Sequence, residues 1–139
     1  MSIFHAKKLT CPKCGAENRI ILWDSLNAQI DPQAREALLN GQINQYYCNS
    51  CGETGQVMKS LLYHDMESRF MVWYYPSQSI EDERFFEHFF DNGQLDFSSD
   101  ILPEDPDDYT INVHYVFSMD ELVRYIRFRE KLAEIRKKY

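Results

Sequence analysis

The spacing of hydrophobic residues along the chain predicts a series of short β-strands. The segment 19–23 is mostly apolar and predicts a first strand, and segments 43–47 and 56–63 predict two more. Positions 70 to 75 are apolar throughout, which is typical of a strand that is covered on both faces. Between residues 109 and 117 hydrophobic and mostly polar residues alternate, and this period of two predicts a half-buried strand.

Three segments carry the signals of helices. Asp31 and Pro32 are favourable residues for a helix start, and Gly41 is a favourable residue for its end. Ser79 predicts the start of a second helix, which presents four phenylalanines on one arc before Asn92 and Gly93 end it: Phe85, Phe86, Phe89 and Phe90. Ser118 and Glu121 form the pattern of a capping box, which predicts a last helix with a basic C-terminal end.

The most specific feature of the sequence is a pair of matched cysteine motifs that use all four cysteines: Cys11-Pro12-Lys13-Cys14-Gly15 and Cys48-Asn49-Ser50-Cys51-Gly52. Two cysteines three positions apart can aim both sulfur atoms at one ion, and two such pairs supply the four thiolates of one tetrahedral zinc site. Four sulfur ligands leave no position for water, so the site is predicted to be structural rather than catalytic. Iron in a rubredoxin-like site and disulfide bonds are the alternatives.

The long spacing between the two motifs affects the predicted fold. Thirty-three residues separate Cys14 from Cys48, whereas roughly fifteen to twenty are usual for such a site. The predicted helix at 31–41 accounts for the excess as an insertion. We therefore predict one α+β domain over residues 1–139. Residues 1–76 would form a zinc ribbon with a helical insertion, and residues 77–139 would add a helix, an acidic loop, a strand and the C-terminal helix. The resulting antiparallel sheet would carry two packed helices.

Several of these segments together resemble the CpXC family, a bacterial and archaeal domain family that is named for its cysteine motifs and is functionally uncharacterised. The resemblance rests on segments 10–15, 31–44, 48–52 and 62–65, and segment 116–122 is similar to what often follows them. It covers residues 7–75 well and the remainder more loosely. The resemblance implies a bound zinc ion and a cytoplasmic prokaryotic protein, and it supplies no activity.

Charge is distributed unevenly along the chain, whose formal net charge is −7. Residues 65–118 hold thirteen acidic and two basic residues, whereas residues 119–139 hold seven basic and four acidic ones. No apolar run approaches the roughly 20 residues that span a bilayer, and the first ten residues lack the apolar segment of a secretory signal. Together with CxxC motifs, which bind metal where thiols stay reduced, these features predict a cytoplasmic protein without membrane contact.

Two other groups of residues are candidates for function. His64 and Asp65 could form a general-base pair, but adjacent strand residues point to opposite faces, and a turn in which Asp65 bonds backbone N–H groups is the favoured interpretation. Along the last helix, apolar residues with a 3-4-3-4 spacing form a continuous seam: Tyr125, Phe128, Leu132, Ile135 and Tyr139. This seam is predicted to pack on the domain's own sheet or to bind a partner helix or a second copy.

These features predict a non-enzymatic zinc protein that acts as a protein–protein interaction module, with the seam as the partner-binding surface. The alternative is a nucleic-acid-associated zinc ribbon, in which basic residues on the last helix contact phosphates. A hydrolase or transferase that uses His64 and Asp65 is the third interpretation. Nucleophile motifs, phosphate-binding loops and HExxH segments are absent from the sequence.

Overall fold

The computed structural model describes residues 2–94, 109 and 112–138. Within this part of the chain the strands are β1 (Ile3–Thr10), β2 (Glu17–Asn27), β3 (Gln45–Tyr47), β4 (Thr54–Gln56), β5 (Leu61–Asp65), β6 (Phe70–Tyr74) and β7 (His114–Val116). The helices are α1 (Pro32–Leu39) and α2 (Met119–Lys138), with two 3-10 helices at Ser77–Glu81 and Glu83–His88. The α+β class is confirmed.

The strands described form one sheet in the order β1-β2-β5-β6-β7 and a separate ribbon of β3 and β4. Pairs β1–β2 and β5–β6 are antiparallel, but β2–β5 and β6–β7 are parallel. The sheet is therefore mixed, and the prediction of an antiparallel sheet is wrong. The reason is that helix α1 and the β3–β4 ribbon lie between β2 and β5 in the chain, and this long connection lets β5 run in the same direction as β2.

Helix α2 covers one face of the sheet, and the main core lies beneath it. Leu122 and Ile126 of α2 are fully buried against a cluster that includes Phe70, Val72 and Tyr74 of β6. Leu38 of α1 belongs to the same cluster, so both α-helices contribute to one core. The first turn of α2 is closed by the predicted capping box: the N–H of Glu121 donates to Ser118 Oγ at 3.1 Å, and Glu121 Oε2 accepts from the N–H of Phe117 at 3.2 Å.

Aromatic rings cover the opposite face of β6. Tyr75, directly after the strand, stacks with Trp73 at 5.3 Å between ring centroids and meets Phe85 edge-on at 4.8 Å. Rings at this spacing pack favourably in offset or edge-to-face arrangements. Phe70, Val72 and Tyr74 are buried on the α2 face, whereas Met71 and Trp73 on this face are half-buried, so the predicted coverage is complete on one face only.

The phenylalanine segment does not form the predicted α-helix. It forms the two 3-10 helices, which are separated by Asp82 in an extended conformation. The Asp82 carboxylate accepts a hydrogen bond from the N–H of Arg84 at 3.0 Å, so a local side-chain contact starts a new turn there. Only one of the two predicted packed helices beyond the cysteine region is therefore an α-helix.

The observed strands differ from the predicted ones in three places. The predicted strand 56–63 is two strands in different sheets, β4 and β5, which residues 57–60 separate. Strand β1 was not predicted, because all but one of its residues are exposed and its sequence lacks a buried period-two face. Of the predicted strand at 109–117, only His114–Val116 is a strand among the described residues; residues 110 and 111 lie outside them.

Candidate metal centre

The two cysteine motifs form turns with the same backbone geometry, each at the end of a hairpin. The first turn joins β1 to β2, and the second joins β3 to β4. In the first, the N–H of Gly15 donates to the carbonyl of Cys11 at 2.9 Å; in the second, the N–H of Gly52 donates to the carbonyl of Cys48 at 2.8 Å. Both glycines have positive φ, at 76° and 77°, a left-handed conformation that other L-residues adopt only with strain.

The fold brings all four sulfur atoms together. They lie within 4.8 Å of one another, with Cys11 Sγ 3.6 Å from Cys51 Sγ and Cys14 Sγ 3.5 Å from Cys48 Sγ. These separations are far longer than the ~2.0 Å of a disulfide bond. Four sulfur atoms at ~2.3 Å from one tetrahedral ion lie about 3.8 Å apart. The cluster therefore fits a single metal ion with four thiolate ligands.

Backbone N–H groups favour negative charge on these sulfur atoms. The N–H of Cys51 and the side chain of Asn18 lower the pKa of Cys48 to about 6. At Cys51 the N–H of Glu53 also favours the thiolate, but burial and the neighbouring sulfur atoms outweigh it and raise the pKa to about 12. Sulfur atoms this close can all be thiolates only when a cation balances their charge, so metal binding releases protons.

Two buried asparagines position the second turn against the first hairpin. Asn18 Oδ1 accepts from the N–H of Asn49 at 3.0 Å. Asn44 Oδ1 accepts from the N–H of Trp23 at 2.7 Å, and Asn44 Nδ2 donates to the Trp23 carbonyl at 3.0 Å. The side-chain amide of Asn44 therefore makes the two hydrogen bonds with the Trp23 backbone that a neighbouring strand would make. Sequence reasoning missed both residues, because each has polar neighbours in the sequence and gives no signal of burial.

The β3–β4 ribbon has a close contact behind the cysteine turn. Tyr46 pairs with Gly55 across the ribbon, and the Tyr46 ring lies over the glycine so closely that a Cβ atom there would overlap the ring. A glycine weakens a strand because it has no side chain to pack, and the tyrosine ring compensates by covering it. This contact lies in the ribbon whose connecting turn holds Cys48 and Cys51.

His64 and Asp65 do not hydrogen-bond to each other and have different partners. Asp65 is buried, accepts from Gln29 Nε2 at 2.9 Å and from the N–H of Ser68 at 2.8 Å, and lines a cleft of about 460 Å³. His64 lies on the other face of β5, where its Nε2 is 2.7 Å from the Tyr109 hydroxyl. Asp65 therefore caps the turn that follows it, as the favoured interpretation predicts.

The structure places the predicted seam residues in two different environments. Tyr125 is half-buried and stacks on His114 at 4.0 Å between ring centroids, so this residue packs on its own domain. Phe128, Leu132 and Ile135 are 58%, 37% and 40% exposed among the described residues. Tyr139 lies outside the described residues.

Fold and site together define an α+β protein with a four-cysteine cluster that is suited to one metal ion. The chain belongs to the CpXC protein family, whose model matches residues 9–139. The match confirms the resemblance seen in the sequence and extends it to essentially the whole chain. Comparison with curated proteins and with solved structures gave no match. Within the described residues, neither α-helix is long and apolar enough to cross a membrane.

Proposed function

We propose that the protein is a zinc ribbon whose single zinc ion is structural, and that it acts as a non-enzymatic interaction module of the cytoplasm. The observation that carries this proposal is the cluster of four sulfur atoms within 4.8 Å. Catalytic zinc sites keep one position open for water or substrate, whereas four thiolates close the coordination shell. The ligands come from the ends of two hairpins, which is the arrangement expected of a zinc ribbon.

Exposed hydrophobic surface supports a protein-binding role. Phe128, Leu132 and Ile135 form one such surface on α2, and Phe86 and Phe90, each 52% exposed, lie at an open cleft of about 560 Å³ beside Tyr115. Large exposed hydrophobic side chains that cluster are typical of interaction sites, whereas isolated ones are common on any surface. The separation of His64 from Asp65 supports a non-enzymatic role.

Affinity capture from a native lysate at several salt concentrations tests this function. We expect the wild-type protein to recover a defined protein partner, and the Cys48→Ser/Cys51→Ser variant to lose the metal but to keep a partner that binds the exposed surface of α2. Ser50→Ala is the matched control, because it changes the same turn without removing a ligand. Recovery of this protein alone under all conditions would contradict the proposal.

A nucleic-acid-associated zinc ribbon is the second candidate, and one observation on the first hairpin favours it. Phe4 and Trp23 pack at 4.7 Å on the same face of β1–β2 as the paired Lys8 and Arg19. Aromatic rings beside basic groups can stack on bases and contact phosphates. This candidate predicts RNA or DNA binding that weakens steeply with salt and on substitution of Lys8 and Arg19 by glutamate. Absence of binding at low salt would exclude it.

A further inference from the structure

The exposed seam on α2 indicates the chemistry of a partner. We propose that Phe128, Leu132 and Ile135 bind an acidic amphipathic helix of another protein, and not a second copy of this chain. This inference rests on the proposed function, because it specifies the partner of an interaction module. It is carried by the exposure of these three residues and by the charges on both sides of them.

The seam faces away from the domain. The buried residues of α2, Leu122 and Ile126, turn toward the sheet, and Arg35 of α1 holds Glu130 on that same side with its Nη2 2.6 Å from Glu130 Oε1. With 100° between successive helix residues, the stripe formed by residues 128, 132 and 135 is centred roughly 130 to 140° from that side. The helix is thus anchored by one face and presents a second apolar face.

The spacing of the seam is that of a coiled-coil helix. Residues 125, 128, 132 and 135 follow each other at intervals of three, four and three, and so occupy the a and d positions of two heptads. A stripe this narrow fits the knobs of one facing helix. An amphipathic helix that lies on a lipid surface needs a wider apolar face.

The positions that flank such a stripe determine which helix can bind. In this chain every flanking e or g position from 124 to 138 is basic: Arg124, Arg129, Lys131, Arg136 and Lys138. Arg129 lies over the Phe70 ring of its own domain and donates to the Tyr125 hydroxyl, so the other four residues carry the exposed positive charge of the flanks. Glu134 lies beside two of these residues on the side away from the seam. Its Oε1 is 3.7 Å from Lys131 Nζ and 4.0 Å from Lys138 Nζ. All three side chains are exposed, so these ion pairs are weak and leave the flanks positive.

Uniformly basic flanks disfavour self-association through the seam. In a parallel pair of helices the e positions face the partner's g positions, and in an antiparallel pair like positions face each other. Either orientation of two copies would place arginine or lysine opposite arginine or lysine, and like charges at these positions are destabilising. A helix with glutamate or aspartate at its flanking positions would make attractive pairs along both sides.

A pair of synthetic helices tests the proposal on the zinc-loaded protein of residues 1–139. Both peptides have three heptads with leucine at a and d; one has glutamate and the other lysine at e and g. By fluorescence anisotropy we expect the glutamate peptide to bind on the order of tenfold more tightly than the lysine peptide, because several individually weak charge pairs add up to such a difference. A glutamate peptide with scrambled leucine positions should not bind.

Charge reversal of the protein sharpens the test. Arg124→Glu/Lys131→Glu should weaken the glutamate peptide at least tenfold and strengthen the lysine peptide. The matched control Lys7→Glu/Lys8→Glu makes the same change in net charge on the exposed strand β1, away from the seam, and should leave both affinities unchanged. Leu132→Ser should abolish binding of the glutamate peptide, with circular dichroism showing that the helix content is retained.

Four outcomes would overturn the proposal. These are equal affinity for the two charged peptides, binding of neither, a dimer in sedimentation that Leu132→Ser dissociates, and seam-dependent binding of anionic vesicles or of duplex DNA in place of the peptide. If the peptides fail but lysate capture still recovers a partner from the Leu132→Ser variant, this inference is wrong while the interaction module stands. If lysate capture itself fails, the proposed function is at fault.

Discussion

The hairpin ends that carry the cysteines and the layer formed by the sheet and α2 are stabilised in different ways. The main hydrophobic cluster runs from Leu26 to Ile126, and from the first hairpin before Leu26 only the partly buried Trp23 packs against it. In the hairpin, Ile20 and Leu22 are buried outside that cluster, and most of β1 is exposed. The cysteine region therefore depends on its four sulfur atoms and two buried asparagines, whereas the rest of the domain depends on apolar burial.

A metal ion at the four cysteines would account for this difference. Two short hairpin ends bury too little apolar surface to offset the entropy lost on ordering them. Apparent free energies of roughly 10–16 kcal/mol for structural zinc sites are large enough to supply the difference. The two parts of the molecule should then respond differently to the same perturbations.

Removal of the metal should have the largest effect. Chelation, or the Cys48→Ser substitution, removes binding free energy of the order of 10 kcal/mol. We expect hydrogen exchange to accelerate at both cysteine turns and in β3 and β4, while amides of β5, β6 and the first half of α2 stay protected. The Ser50→Ala control should exchange like the wild type. Uniform loss of protection across the sheet would show that the two parts unfold as one unit.

A core substitution should produce the opposite pattern. Leu122→Ala removes a fully buried side chain and should lower the free energy of unfolding by about 2–5 kcal/mol in chemical denaturation. The metal content should not change, because the cysteine turns lie outside this cluster. Leu132→Ala, the same substitution at an exposed site of the same helix, should change stability by about 0.5 kcal/mol or less. Loss of metal from the Leu122→Ala variant would contradict the view that the cysteine region and the sheet layer are stabilised separately.

Substitution of Asn44, which connects the second cysteine hairpin to strand β2, should have an intermediate effect. Asn44→Ala leaves the partly buried N–H and carbonyl of Trp23 without this partner, which costs about 1–3 kcal/mol. Because Asn44 leads into β3, we also expect weaker metal binding in competition with a chromogenic chelator. Asn49→Ala, which removes an exposed amide beside Cys48, should leave metal affinity close to that of the wild type. Equal effects of the two substitutions would contradict the role of Asn44.

Of these perturbations, acidification should have the smallest effect on the stability of the sheet layer. Burial lowers the pKa of His64 and of His114 below the ordinary value of 6.5. Below pH 6.5 the unfolded chain therefore binds more protons than the folded one, so stability falls as the pH drops toward the lowered values. Both rings are partly exposed, and the loss should be below about 1 kcal/mol. In excess zinc, His64→Gln/His114→Gln should lose less stability than the wild type between pH 7.5 and pH 5.5.

Sequence-based prediction also succeeds to different degrees in the cysteine region and in the layer formed by the sheet and α2. Metal-ligand spacing is a local code, so Cys11, Cys14, Cys48 and Cys51 could be predicted to converge without knowledge of the fold. Helix α2 could be predicted from its capping box and its periodicity. The direction of β5 could not, because pairing of distant strands depends on the connection between them. Asn44 was missed for a related reason, since its partner is a backbone amide twenty-one residues away.

X-ray absorption spectroscopy of the purified protein, together with its metal content, tests the four-thiolate centre most directly. For a four-thiolate centre we expect one equivalent of zinc with four sulfur atoms at about 2.3 Å and no oxygen or nitrogen ligand. Protein without metal, or a zinc ion whose shell includes a water molecule, would contradict both the structural role of the cysteines and the non-enzymatic function.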